Sequence, residues 1–217
     1  MRLKLIEKNF GGEYEVGKWF PLIYDVAMKP LEKNRIQKVR KQLVGDADGR
    51  VLEIGSGTGL NFPYYRNATR VDAIEPNPLM SAKSIKRIRT ALVPINMYIA
   101  KAEDLPFDDD TFDTVVATLV FCTIPDPAKA LQEIRRVSKQ GAKILLFEHV
   151  RMNSDILGKT QDVLTPLWKK AFDGCHLNRN TLELLKQSGL IITKVDSYYG
   201  RLFLYIKCLN VQKIKND

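Results

Sequence analysis

The sequence predicts an α/β fold: a doubly wound, mostly parallel sheet of seven strands, N-terminal helices over it, and an antiparallel hairpin at the C-terminal end. Three observations lead there. Short apolar runs alternate with helical segments along most of the 217 residues, as crossover connections between parallel strands require. The apolar run VLEI passes directly into a glycine loop, GSGTG, the usual junction of a strand with a ligand-binding turn. Two β-branched and aromatic runs stand close together near the end around Gly200 and Arg201, too close for anything but antiparallel pairing.

In chain order, residues 1–45 are expected to form a helical lid, because Trp19, Phe20, Tyr24 and Met28 fall at helical spacing. RVLEI is the first strand of the cofactor core, 46–150, and LNFPYYRN after the glycines is read as the start of a helix. RVDAI follows. NPLMSAKSIKRIRTAL is a helix capped by Asn77 with Pro78 in its first turn. NMYIA and FDTVVATLV are strands, and DPAKALQEIRRVSKQG repeats the Asp-Pro start at Asp126 and is expected to stop at Gly141. AKILLFEHV is the fifth strand. In 151–217, NRNTLELLKQSG reads as a helix capped by Asn178 and ended by Gly189, before the strands LIITKVDSYY and RLFLYIKCL.

With 45% hydrophobic residues, this length suits one domain, 1–217. No apolar stretch approaches the roughly 20 residues that span a bilayer, and MRLKLIEKNFGGEYE lacks the order of a signal peptide, so a cytoplasmic protein is expected, with at most weak peripheral membrane contact. Cys122, Cys175 and Cys208 are widely spaced, with no CxxC pair, which suggests neither a disulfide framework nor a zinc site. The net charge of +9 is spread over helical faces and joined to no nucleic-acid module, so nucleic acid is disfavoured and a small-molecule acceptor is expected.

The glycine loop has the spacing GxGxG, with Leu60 where a dinucleotide fingerprint places its third glycine. Glu53 adds negative charge beside it, which suits a ligand bearing an ammonium and a sulfonium better than two phosphates. Glu75 ends the second strand twenty residues after Gly55, where a carboxylate can accept from both hydroxyls of an adenosine ribose.

From about Val51 to Val150 the chain resembles the class I S-adenosylmethionine-dependent methyltransferases, through VLEIGSGTG, VDAIEPNP, AEDLPFDDDTFDTVV and ALQEIRRVSKQGAKILLFEHV. A closer resemblance, through TLVFCTIPDP, FEHV and FDGCHLNR, is to the methyltransferase-like thiol S-methyltransferases. It implies a Rossmann-like fold, S-adenosylmethionine as cofactor, S-adenosylhomocysteine as product, and a small, largely apolar acceptor, a thiol first; the alternatives are a quinone or phospholipid headgroup and, after these, RNA or a cofactor-binding protein without catalysis. By the resemblance Glu53, Gly55, Ser56, Gly57 and Asn61 surround the methionine moiety; Glu75, Pro76 and Asn77 meet the ribose; and Met80 lies against the adenine. Many relatives have Asp-Ala in the adenine loop where this chain has Lys101-Ala102. Lysine cannot accept a hydrogen bond, so the Ala102 backbone and Glu103 are expected to read the base.

By the same resemblance Thr118 and Leu119 are expected to close the cofactor site after the fourth strand, with Phe121, Cys122 and His176 toward the acceptor. Methyl transfer needs alignment and removal of a proton rather than many catalytic groups. His149, with its near-neutral pKa, and Asp173, close to His176 in FDGCHLNR, are the candidate bases, and Tyr24 is expected to act as a lid. No metal is expected.

Overall fold

The computed structural model describes Ile6–Glu7, Pro21, Tyr24–Val26 and residues 35–211. Its strands form one eight-stranded sheet in the order β1-β4-β3-β2-β5-β6-β8-β7. These are β1 (Ile6–Glu7), β2 (Asp48–Ile54), β3 (Asn67–Ile74), β4 (Ile95–Ile99), β5 (Phe112–Thr118), β6 (Ser138–His149), β7 (Ile191–Tyr198) and β8 (Phe203–Leu209). The first six pair in parallel, and β8 runs antiparallel to both its neighbours. The seven expected strands are all present with the expected antiparallel hairpin. The addition is β1, two residues paired to the β4 edge inside the segment read as helical.

Five helices with full bounds accompany the sheet: α1 (Arg35–Gly45), α2 (Pro78–Arg89), α3 (Pro127–Val137), α4 (Asp155–Ala171) and α5 (Thr181–Gln187). The lid expected over 1–45 lies largely outside the described residues, as do Trp19, Phe20 and Met28. Asn77 and Asp126 cap α2 and α3 through their side chains, with Pro at the first turn in both.

Three local expectations are corrected. LNFPYYRN makes only a 3-10 turn, Phe62–Tyr64, because Tyr65 turns extended and sends its hydroxyl to Glu53 at 2.8 Å. α3 ends at Val137 rather than at Gly141, and the chain enters β6 at once. Gly141 sits inside that strand at φ +78°, a left-handed conformation that favours glycine. Asn180, not Asn178, caps α5.

Hydrophobic residues pack on both faces of the sheet, as parallel strands demand. Leu52, Ile54, Ile74, Leu146 and Ile206 meet α3 and Leu185 of α5 on one face. Val51, Val71, Val116, Phe147 and Tyr205 meet Ile36, Val39 and Leu43 of α1 on the other. This double burial fixes the strands in register, and the carboxyl ends of β2, β3 and β5 then converge where ligands bind in such sheets.

Candidate active site

A cavity opens at those strand ends, lined by Ile54, Gly55 and Gly57 from the end of β2 and its loop, and by Ile74, Glu75, Pro76, Asn77 and Met80 from the end of β3 and the start of α2. Lys101, Ala102 and Glu103 follow β4, Thr118 ends β5, and Leu119, Val120, Thr123, Ile124 and Pro125 follow it. Tyr24 and Asp173 complete the wall.

Gly55 shows why the loop begins with glycine. Its φ is +60°, and a Cβ there would lie 2.1 Å from Val120 Cγ2, so backbone and side-chain packing both exclude anything larger. The residue after β5, Leu119, also takes a positive φ, +55°, and its amide is held by the Phe147 carbonyl at 2.8 Å. Such strain persists where surrounding structure over-determines it, commonly beside a ligand.

Glu75 ties the loop to α2. Its carboxylate accepts from the amides of Gly57 and Asn77, both at 2.9 Å, while burial pushes its pKa up to about 7, against those hydrogen bonds and with help from the charge of Asp173. The Nδ2 of Asn77 is buried beside it with no hydrogen-bond partner among the described residues. An orphaned donor of this kind, next to a carboxylate at a strand end, fits a ligand carrying adjacent hydroxyls.

Beneath the loop lies a buried polar network. Asn61 Nδ2 donates to Glu53 Oε1 at 3.0 Å and to Thr118 Oγ1 at 3.1 Å, and Asn61 Oδ1 accepts from Arg40 at 2.6 Å. Burial raises the pKa of Glu53 to about 7 despite Tyr65, Asn61 and the Arg40 charge. Glu53 and Asn61 therefore support the loop from below and are not among the residues that line the cavity. Ser56 is also off the wall, its amide bonded to the Ile74 carbonyl.

Gly55, Gly57, Glu75, Pro76, Asn77, Met80, Ala102, Glu103, Thr118, Leu119, Tyr24 and Asp173 do line the cavity. Glu103 also accepts from the Asp126 amide at 3.3 Å. Phe121 does not line it: the side chain is wholly buried in the core. Cys122, His149 and His176 are off the wall as well. His176 donates its backbone amide to the Cys122 carbonyl at 2.9 Å and lines a separate cavity with Arg179 and Glu183. Val120, Thr123, Ile124, Pro125 and Lys101 were not foreseen. Val120 is the second residue after β5, and its side chain packs against Gly55 of the glycine loop.

His149 is placed instead against Cys175, with Nε2 and Sγ 3.3 Å apart, and its Nδ1 is buried without a partner among the described residues. Hydrogen bonding from Cys122, then from His149, outweighs burial and holds the Cys175 thiol down at about 5. Cys122, in turn, is pushed well above the usual thiol range. Next to His149, Glu148 is wholly buried and accepts from the amides of Val120 and Phe121 at 3.1 and 3.2 Å, pinning the segment after β5.

The methyltransferase domain family model matches residues 52–146. The human thiol S-methyltransferase TMT1B is 33% identical over 186 residues, 78% of this chain and 74% of that protein. A phosphatidylethanolamine N-methyltransferase of Cereibacter sphaeroides is 29% identical over 65% of this chain and 70% of its own length. Among solved structures, a chain from the complex between the Haloferax volcanii Trm112 methyltransferase activator and a methyltransferase superposes with a TM-score of 0.69 at 18% identity, covering 92% of this chain and all of that one. A glycine loop, a buried carboxylate at a strand end and an orphaned donor beside it thus coincide with these likenesses. The protein belongs to the class I S-adenosylmethionine-dependent methyltransferases, close to the thiol S-methyltransferases, with S-adenosylmethionine as its methyl donor.

Proposed function

We propose that this methyltransferase acts on a small, largely apolar acceptor, first among them an alkyl thiol. The observation that carries the proposal is the pairing of an apolar cavity wall, Leu119, Val120, Ile124 and Pro125, with the carboxylate of Asp173 on the same cavity. The similarity to thiol S-methyltransferases supports it.

Glu75 and Asn77 hold the ribose of the cofactor, Glu103 and the Ala102 backbone read the adenine, and Thr118 and Leu119 close on the methionine end. The cofactor brings a methyl group already activated by its sulfonium. Asp173 takes the proton of the acceptor thiol as the new carbon–sulfur bond forms, and the apolar wall keeps water away from the sulfur. A free thiol, with a pKa near 8.5, is mostly protonated at neutral pH, so a base has something to contribute. Tyr24 covers the cavity from the N-terminal side. His149, held against Cys175, has no direct part in proton removal in this scheme.

Asp173→Asn tests the reading. Turnover of an alkyl thiol at pH 7 should fall by about 100-fold or more, with S-adenosylhomocysteine affinity nearly unchanged and part of the loss recovered as pH rises toward the thiol's own pKa. Unchanged turnover, or a wild-type enzyme that methylates phenols or quinols but no thiol, overturns the acceptor assignment and leaves the donor untouched.

The outer face of α4 favours a second reading. Ile156, Val163 and Leu167 are 78%, 78% and 71% exposed, while the helix buries Gly158, Gln161 and Thr165. An apolar outer face flanked by Lys159, Lys169 and Lys170 suits the surface of an anionic bilayer, and with it a phospholipid or quinone headgroup as acceptor. No helix among the described residues is long and apolar enough to cross a membrane. Co-sedimentation with anionic vesicles, lost in Val163→Glu, separates the two readings.

A further inference from the structure

We infer that Cys122, His149 and Cys175 form a binding site for a thiophilic divalent cation of the Zn2+ class, joining the segment after β5, the end of β6 and the turn that follows α4. One ligand atom from each residue lies within 4.8 Å of the other two. The His149 Nε2 to Cys175 Sγ separation of 3.3 Å is close to the edge of a tetrahedron with Zn–N about 2.0 Å and Zn–S about 2.3 Å, which is roughly 3.5 Å. That pair is therefore nearly in place before the ion arrives, with the Cys122 ligand atom within 4.8 Å of both.

Chemistry agrees with geometry. Two thiolates and one neutral imidazole cancel the charge of a divalent ion, so the complex is neutral where an uncompensated charge would be costly. Softness selects the ion: thiolate and imidazole together suit zinc, whereas calcium and magnesium require oxygen ligands. Glu148, the nearest carboxylate in the sequence, is already committed to the amides of Val120 and Phe121. Three protein ligands then leave one tetrahedral position open. Cys122 is buried, but Cys175 is only half-buried, which gives an ion a way in.

The three segments that supply the ligands, TLVFCTIPDP, FEHV and FDGCHLNR, are the ones through which the chain is closest to the thiol methyltransferases. Two of them also build the cavity: Thr123 is next to Cys122, and Asp173 is two residues before Cys175, and both line its wall. An ion bound here would pin that wall. Wide sequence spacing had suggested that these cysteines make no zinc site, and the fold brings them together regardless.

The test is metal binding by the reduced, chelator-stripped protein. Titration with Co2+ should give a near-ultraviolet thiolate-to-cobalt charge-transfer band and visible bands of a tetrahedral centre, saturating at one ion per chain and displaced by Zn2+. Cys175→Ser, His149→Gln and the double variant Cys122→Ser/Cys175→Ser should each lose the charge-transfer band or weaken binding at least tenfold. Cys208→Ser, whose thiol lies elsewhere in the core, should keep both. Circular dichroism and S-adenosylhomocysteine binding show which variants remain folded, and Cys175→Ser is the least disruptive because its side chain is only half-buried. The inference is overturned if wild type shows no band, if the band survives the double cysteine variant, or if the reduced protein takes up no metal and air instead closes a Cys122–Cys175 disulfide.

Discussion

Arg40 Nη1, on a helix that precedes the whole cofactor core, donates to Asn61 Oδ1 at 2.6 Å, and both residues are almost completely buried. Asn61 passes the contact on to Glu53 and Thr118, so its amide side chain joins α1 to the glycine loop. Arg40→Met removes the charged donor but keeps most of the volume. It should destabilise the protein by about 2–4 kcal/mol, the cost of stranding a buried acceptor and weakening the compensation of Glu53. Urea denaturation measures the loss, and a change within a few tenths of a kcal/mol would show that α1 is not coupled to the loop.

Glu53 makes stability depend on pH. Burial raises its folded pKa from 4.5 to about 7, so between those values the native state holds a proton that the unfolded chain releases. Its contribution is fully present below about pH 4.5 and is lost as pH rises through about 7. Glu53→Gln keeps an oxygen for Asn61 and lets the Tyr65 hydroxyl reverse its role. The variant should flatten part of the decline in stability across that window, followed as thermal midpoints at several pH values. An identical slope in the variant would assign the decline to other groups.

Cofactor affinity should depend on pH for a related reason. In the proposed role Glu75, with its pKa raised to about 7, must be a carboxylate to accept from two ribose hydroxyls while keeping the amides of Gly57 and Asn77. S-adenosylhomocysteine binding should therefore weaken as pH falls below about 7, and Glu75→Ala should weaken it at pH 8 by about 1–3 kcal/mol. Isothermal titration calorimetry reads both. NAD, tested alongside, should not bind.

Gly55→Ala separates packing from backbone strain. The new Cβ meets Val120 at 2.1 Å and also forces φ +60° on alanine. A loss of about 2–4 kcal/mol is expected. Adding Val120→Ala relieves the clash but leaves φ unchanged, so the double variant should recover part of the stability. Full recovery would mean that φ costs nothing, and no recovery that the clash does not matter.

Much of the fold was legible because its signals are local. Strand runs, the caps at Asn77 and Asp126, the glycine loop and the carboxylate of Glu75 each lie within a few residues of the feature they specify. The features that the sequence did not show depend on distant partners. Tyr65 leaves the helical path because Glu53, twelve residues earlier, takes its hydroxyl. Phe121 turns into the core because Glu148 holds its amide from the next strand. His149 meets Cys175 only after β6 and the turn following α4 have been placed side by side. Periodicity and spacing carry no record of such pairings, which are settled by strand order.

The reversed direction of β8 decides where the chain leaves the sheet. Phe203 pairs with His149 at the ligand end of β6, and Leu209 pairs with Lys143 toward its start. Seven residues at about 3.3 Å each carry the backbone about 20 Å away from the cofactor end. A bulky label on Val211, two residues past Leu209, is thereby held at the far end of the sheet from the cofactor cavity, so labelled protein would keep its mouth free for ligand.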